Sequence, residues 1–205
     1  MLLANCLKLK RCHWGTAIMF LILFSACSRS RPSRFYLLDS TGDGKAVRKK
    51  NTGAETISVR IDKIRIADYL KRPQIAVRLS ENELEYNEFQ RWAEPLDLNI
   101  ADFVHRNLSK KLPDNVVLLP EYNAGKDIDY TIEISIRQLD IYKDMGVTML
   151  VETSIFRENT PLPAITHFKS YQSDTTQNSM DGYVKDISRL FSDYCTDLSE
   201  EIGRL

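Results

Sequence analysis

The residues best placed to do chemistry in this chain stand together near its start, in the run Phe24-Ser25-Ala26-Cys27. Small residues immediately before a cysteine fit a lipobox, in which the thiol takes up a diacylglycerol and the chain is cut just ahead of it. What precedes the run agrees. Lys8, Lys10 and Arg11 supply a positive start, and an apolar stretch follows from Trp14 to Phe24. That stretch is well short of the roughly 20 residues a spanning helix needs, but it suits the apolar region of a secretory signal. Phe24 stands where Leu, Val or Ile is usual. The expectation is a lipoprotein signal over 1–26 and a mature chain whose Cys27 carries covalent diacylglycerol and N-acyl lipid. Each buried methylene adds about 0.8 kcal/mol to membrane partition, so several acyl chains hold a domain at a bilayer without a spanning helix. Ser28 follows the anchor. Aspartate there retains lipoproteins in the inner membrane in enterobacteria-like sorting, so serine points to the outer membrane, facing the periplasm.

The remaining reactive side chains are sparse. Cys6 and Cys12 leave with the signal, so Cys195 is the one thiol left beside the anchor, and no internal disulfide forms. It reads as a small hydrophobe more readily than as a reactive thiol. His105 and His167 lack metal-ligand spacing. No Gly-x-Ser-x-Gly, phosphate-cradling glycine loop or His-Glu-x-x-His is found. Glu83, Glu85, Glu88 and Glu94 read as solvated surface rather than a paired acid and base. The expectation is a protein without catalytic activity, cofactor or metal. The signal carries three of the 28 basic residues and no acidic one, so 25 basic face 28 acidic in the mature chain. A balance near zero gives no electrostatic case for nucleic acid.

Elements able to position a site begin after a polar, arginine-rich leash, Ser28 to Arg34, which is either solvated or in touch with anionic headgroups. Phe35-Tyr36-Leu37-Leu38 is a short β-prone run. Thr41 to Glu55, with three glycines and Lys45, Arg48, Lys49 and Lys50, reads as a flexible linker. The body, 57–205, opens with alternating Ile57, Val59 and Ile61. The alternation resumes out of step at Ile64 and Ile66, predicting a bulge near Asp62-Lys63. Ile75, Val77 and Leu79 make a second strand, and Asn82 to Tyr86 a weaker third. Pro95 closes that stretch, and Asp97 is expected to cap a helix to about Lys111. Val116 to Leu119 is a strand. Ile128 to Ile136 and Val147 to Ile155 alternate around the turn Lys143-Asp144-Met145-Gly146, predicting an antiparallel hairpin, with a further strand near Ala164 to Ser173. From Ser179 to Ile202, Tyr183, Ile187, Leu190, Phe191, Tyr194, Leu198 and Ile202 share one face. That predicts an amphipathic helix docked on a sheet, since the acidic opposite face suits an anionic membrane badly. The fold class is a single α/β domain with a mixed, largely antiparallel sheet and a long C-terminal helix.

Two segments stand out. Tyr69-Leu70-Lys71-Arg72-Pro73-Gln74-Ile75 joins the first two body strands, with Pro73 pushing Arg72 toward an extended conformation. Arg91-Trp92-Ala93-Glu94-Pro95-Leu96 precedes the first helix. Trp92, the only tryptophan after processing, suits a buried anchor or an interface hot spot.

With the lipobox, Phe35-Tyr36-Leu37-Leu38 and these two segments in this order, the chain resembles the PqiC/YmbA family, also called ABC-type transport auxiliary lipoproteins. Phe35 departs from the tyrosine common there. The resemblance covers nearly all of the mature chain. It implies a three-layer α/β fold like the anticodon-binding domains, used without nucleic acid. It also implies a place at the outer-membrane end of a Pqi-type lipid-transport system, with a PqiB-like periplasmic MCE-domain protein as partner. Rings of subunits would match a partner with cyclic symmetry. Tyr69, Arg72, Pro73, Gln74, Arg91, Trp92, Glu94 and Pro95 then form the partner interface or the scaffold that shapes it. From local patterns alone, a structural or assembly lipoprotein that tethers envelope layers or activates a cell-wall enzyme fits as well.

Overall fold

The computed structural model describes residues 31–39, 56–62, 64–112, 115–119, 127–173 and 178–205. The signal, Cys27, Ser28, Lys63 and the whole linker, Thr41 to Glu55, lie outside these residues. Two units emerge: Met1–Pro32, of which only Arg31 and Pro32 are described, and Ser33–Leu205. The second carries nine strands and two helices among its described residues. They are β1 (Arg34–Tyr36), β2 (Ser58–Ile61), β3 (Arg65–Ile66), β4 (Gln74–Ser80), β5 (Glu83–Trp92), α1 (Leu96–Lys111), β6 (Val116–Leu118), β7 (Tyr130–Tyr142), β8 (Gly146–Arg157), β9 (Ile165–Ser173) and α2 (Met180–Ile202). A 3-10 turn, Asp68–Lys71, lies between β3 and β4. No helix among the described residues is long and apolar enough to cross a membrane.

β7 organises the sheet. Ile132, Ile134 and Ile136 alternate into the core, and a bulge between Ile136 and Gln138 shifts the parity, so Leu139 and Ile141 take over the inward positions. Along one edge it pairs antiparallel with β8, through the expected hairpin, and β8 pairs antiparallel with β9. Asp144 and Gly146 adopt positive φ in that turn, as a tight hairpin requires. Along the other edge β7 receives β2, β3 and β4 in succession, all parallel. Ile61 sits opposite Ile132 and Arg65 opposite Ser135, so the register slips by one residue between these pairs, where the alternation breaks, with Lys63 itself outside the described residues. β6 pairs with β2, while β5 and then β1 extend the sheet beyond β4.

Both helices pack against each other and the sheet in one continuous core. Phe103 of α1 and Phe191 of α2 meet with ring centroids 6.1 Å apart. The buried face of α2 is the one its periodicity predicted, and Tyr194 reaches the sheet through a 3.0 Å hydrogen bond with Thr153. Ser179 caps α2, accepting from the Gly182 N–H at 3.1 Å.

Two expectations need correction. Asp97 does not cap α1. The N-cap lies two residues earlier, at Pro95, whose carbonyl accepts from the N–H groups of Leu98 and Asn99. Asp97 lies inside the first turn, where its charge favours the helix dipole. The third body strand also runs on to Trp92, well past Tyr86. A register shift against β4, between the pairs Gln74–Arg91 and Ile75–Asn87, breaks its alternation. Both faces of β5 are partly exposed, so apolar periodicity hardly marks it.

Candidate functional site

The motif segments, separated in sequence, fold to one corner of the sheet. Tyr36 pairs with Trp92 and Phe35 with Arg91 across β1 and β5, and the Ala93 N–H donates to the Tyr36 carbonyl at 2.9 Å. On the other side of β5, Gln74 lies opposite Arg91, and the Trp92 N–H donates to the Pro73 carbonyl at 2.8 Å. Pro73 itself lacks an N–H to give, and its fixed φ holds the bend between the 3-10 turn and β4. Phe35-Tyr36-Leu37-Leu38 and the Tyr69 and Arg91 motifs are therefore one structure.

Each expected site residue has a definable place in it. Trp92 is 7% exposed and belongs to the core cluster, the placement a buried anchor requires. Pro95 starts α1, and the Glu94 carboxylate accepts from Asn99 Nδ2 at 2.7 Å. Buried Asn99 in turn accepts from the Leu38 N–H at 2.8 Å, fastening the end of the β1 segment to the helix. Gln74 and Arg91 both reach Glu88, at 3.3 Å and 3.2 Å. Arg72 lies exposed over the Tyr86 ring, 4.5 Å from its centroid.

Tyr69 points inward, into a cluster the sequence reading missed. Its hydroxyl donates to Asp140 Oδ1 at 2.8 Å and accepts from the Leu139 N–H at 3.0 Å. Asp140 Oδ2 takes Arg78 Nε and Gln138 Nε2, both at 2.6 Å. The Asp140 side chain is wholly buried, so it depends on these donors for the solvation it has lost. Burial, reinforced by the adjacent carboxylate, pushes the Tyr69 hydroxyl far above its ordinary range, although the Leu139 N–H opposes this. The hydrogen bond to Asp140 likewise keeps Arg78 firmly protonated. A signal for this cluster was present: Asp140 is a carboxylate flanked by Leu139 and Ile141 in β7, and a buried carboxylate requires a cation. Tyr86 completes the link, donating to the Tyr69 carbonyl at 3.2 Å.

Beside this corner, at the outer edge of β1, lies an open cleft of about 520 Å³. Phe35, Leu37, Asp39, Glu94, Asp102 and Arg106 are among its lining residues. Phe35 and Leu37 are 63% and 50% exposed.

Catalytic arrangements do not form among the described residues. His105 Nε2 meets the Val117 carbonyl at 3.2 Å, whereas His167 lies 3.4 Å from Glu201 on another element. No group of three His, Cys, Asp or Glu residues could hold a metal ion there. Cys195 is buried, and burial pushes its thiol up to about 12, although Lys111 opposes the shift. That suppresses the thiolate a nucleophile needs.

Comparison with known proteins extends this picture. A family model described as ABC-type transport auxiliary lipoprotein component matches residues 36–199. One solved structure, of an uncharacterized protein, is similar with a TM-score of 0.70 at 17% identity, covering 84% of this chain and 99% of that one. A protein from Xanthomonas campestris, of family DUF330, is similar with a TM-score of 0.62 at 15% identity, covering 73% and 86%. No curated protein matches. The structural likenesses concern the fold alone. The family match spans the motif segments from Tyr36 onward, all of α1 and α2 as far as Ser199.

Proposed function

This chain belongs to the ABC-type transport auxiliary lipoprotein component family, and on that premise we propose that it is the outer-membrane-anchored accessory of an MCE-type lipid-transport system. Cys27 carries the acyl chains, and the leash lets the body stand off the inner leaflet of the outer membrane. Seven residues lie between Cys27 and Phe35, a span of at most about 28 Å over the eight Cα steps when extended. The body then docks on a periplasmic MCE-domain partner of the Pqi type through the motif corner. It acts without catalysis, as an adaptor, and copies of it assemble around a partner of cyclic symmetry.

One observation carries the reading. Three motif segments converge on a single corner beside the point where the leash enters the fold, and they hold Arg72, Pro73, Glu94 and Phe35 outward on a rigid base. Trp92 and the Asp140 cluster supply that base. The outward groups are the ones left for a partner.

Mass spectrometry of the mature protein from envelope fractions tests the anchor. The N-terminal peptide is expected to begin at Cys27 with diacylglycerol and an N-linked acyl chain, in outer-membrane fractions. Cys27→Ala should release the body into the periplasm and abolish its contribution to the transport system. An unmodified thiol, or full activity from Cys27→Ala, would remove the proposal's basis.

A further inference from the structure

We propose that Met145 is an oxidation site: its thioether takes an oxygen atom from a peroxide and turns an apolar hairpin tip polar without disturbing the fold. The inference stands apart from the docking reading above. Three methionines follow Cys27, at positions 145, 149 and 180, and all are among the described residues. Met145 is 65% exposed and Met149 0%, while Met180 is partly buried against the core. The oxidant must reach the sulfur lone pair, so exposure orders the three.

The turn between β7 and β8 holds Met145 outward. Tyr142 pairs with Gly146, which leaves Lys143, Asp144 and Met145 as the loop. Asp144 and Gly146, on either side of Met145, both take positive φ. The Met145 N–H donates to the Tyr142 carbonyl at 3.1 Å, and the Asp144 N–H to the Tyr183 hydroxyl at 3.0 Å. That hydroxyl donates to Asn178 Oδ1 at 2.8 Å, and Asn178 Nδ2 donates to Asp144 Oδ1. None of these bonds uses the Met145 side chain, so an oxygen on its sulfur breaks none of them. Met149 differs. It stands in the inward row of β8, opposite Leu139 and Tyr171, where an oxidant arrives only when the hairpin opens. A sulfoxide there would put a polar group in the core.

Hydrogen peroxide is the one co-reactant the step needs. The Met145 sulfur attacks one peroxide oxygen, the O–O bond breaks, and proton transfer releases the other oxygen as water. Sulfur gives up two electrons and the peroxide takes them. At the same end of the sheet Arg78 of β4 lies opposite Tyr142, which puts Leu79 level with Lys143. Leu79 is 50% exposed, so the change in polarity falls beside a second apolar side chain.

The test is a time course of the purified mature chain in hydrogen peroxide, read by peptide mass spectrometry, with the same chain in guanidinium as reference. Met145 is expected to oxidise within about threefold of its denatured rate, and Met149 at least about tenfold more slowly than its own. Met180 should fall between them. Tm should stay within about 2 °C once Met145 alone has reacted. Met145→Leu should remove the fast phase and leave the rates at Met149 and Met180 unchanged. Protection of Met145 beyond about threefold would mean that its sulfur is covered, and would overturn the proposal. Met149 or Met180 reacting as fast as Met145 would overturn it too, as would a larger fall in Tm on oxidation of Met145 alone.

Discussion

Replacing Trp92 with alanine separates the two roles an indole can have at this position. Trp92 is 7% exposed and sits in the core cluster beneath the motif corner. A buried aromatic side chain removes about 150–250 Å² from water, roughly 4–6 kcal/mol at 25 cal/mol/Å². Measured truncations of buried Phe or Trp centre on about 3–5 kcal/mol, since the site partly collapses. In a folded unit spanning Ser33–Leu205, each kcal/mol lowers Tm by about 2–4 °C, which predicts a fall of roughly 6–20 °C. Thermal unfolding followed by circular dichroism on the purified mature chain measures it directly. Trp92→Phe keeps an aromatic ring in the core and should recover most of the loss. An alanine variant that melts within about 2 °C of the unaltered protein, yet no longer captures its partner, would refute the argument and make Trp92 an interface residue.

Other outcomes follow from the same structure. Asp140→Ala strips Arg78, Tyr69 and Gln138 of their common acceptor and should cost about 3–5 kcal/mol in denaturant unfolding. Loss of under about 1 kcal/mol would mean that the cluster is not a structural pin. Cys195 should resist thiol reagents in the folded, processed chain and react fully in denaturant. Its folded value of about 12 exceeds the unfolded value near 8.5, so the unfolded chain loses its proton first. Stability should therefore decline as pH rises above about 8.5, and a flat profile to pH 11 would contradict the burial of the thiol. Burial raises the Asp197 carboxyl, but hydrogen bonds from Lys169 and Tyr171 outweigh it and hold the carboxyl below its ordinary range. Its contribution is thus present above about pH 4 and lost as pH falls through the lower folded value. Asp197→Asn should flatten that acid limb, which acid titration of unfolding would detect.

The strands that bury one face could be read from composition alone. Alternating apolar residues placed β2, β7 and β8, and even the slip near Asp62-Lys63 was visible as a broken period. The α2 face was equally plain, because its apolar stripe has the helical period throughout. β5 was harder. Its register shift and its exposure on both faces leave no single apolar row for a periodicity argument to follow. The start of α1 was misjudged by assigning the cap to the acidic side chain, when the backbone carbonyl of Pro95 does that work. The motif residues themselves were identifiable by type. Their convergence was not, because Tyr36, Pro73 and Trp92 meet only through pairings of β1 and β4 with β5. Local spacing carries no information on such long-range register.

The account stands or falls on the motif corner as the docking surface. A photoreactive residue at position 72, where Arg72 lies exposed over Tyr86, tests this in intact envelopes of cells that express the transport partner. The expected result is a crosslink to the periplasmic MCE-domain protein, absent when that protein is deleted and absent from exposed Phe168 on β9, at the opposite edge of the sheet from β1. Crosslinking to that partner from position 168 and not from position 72 would contradict the assignment.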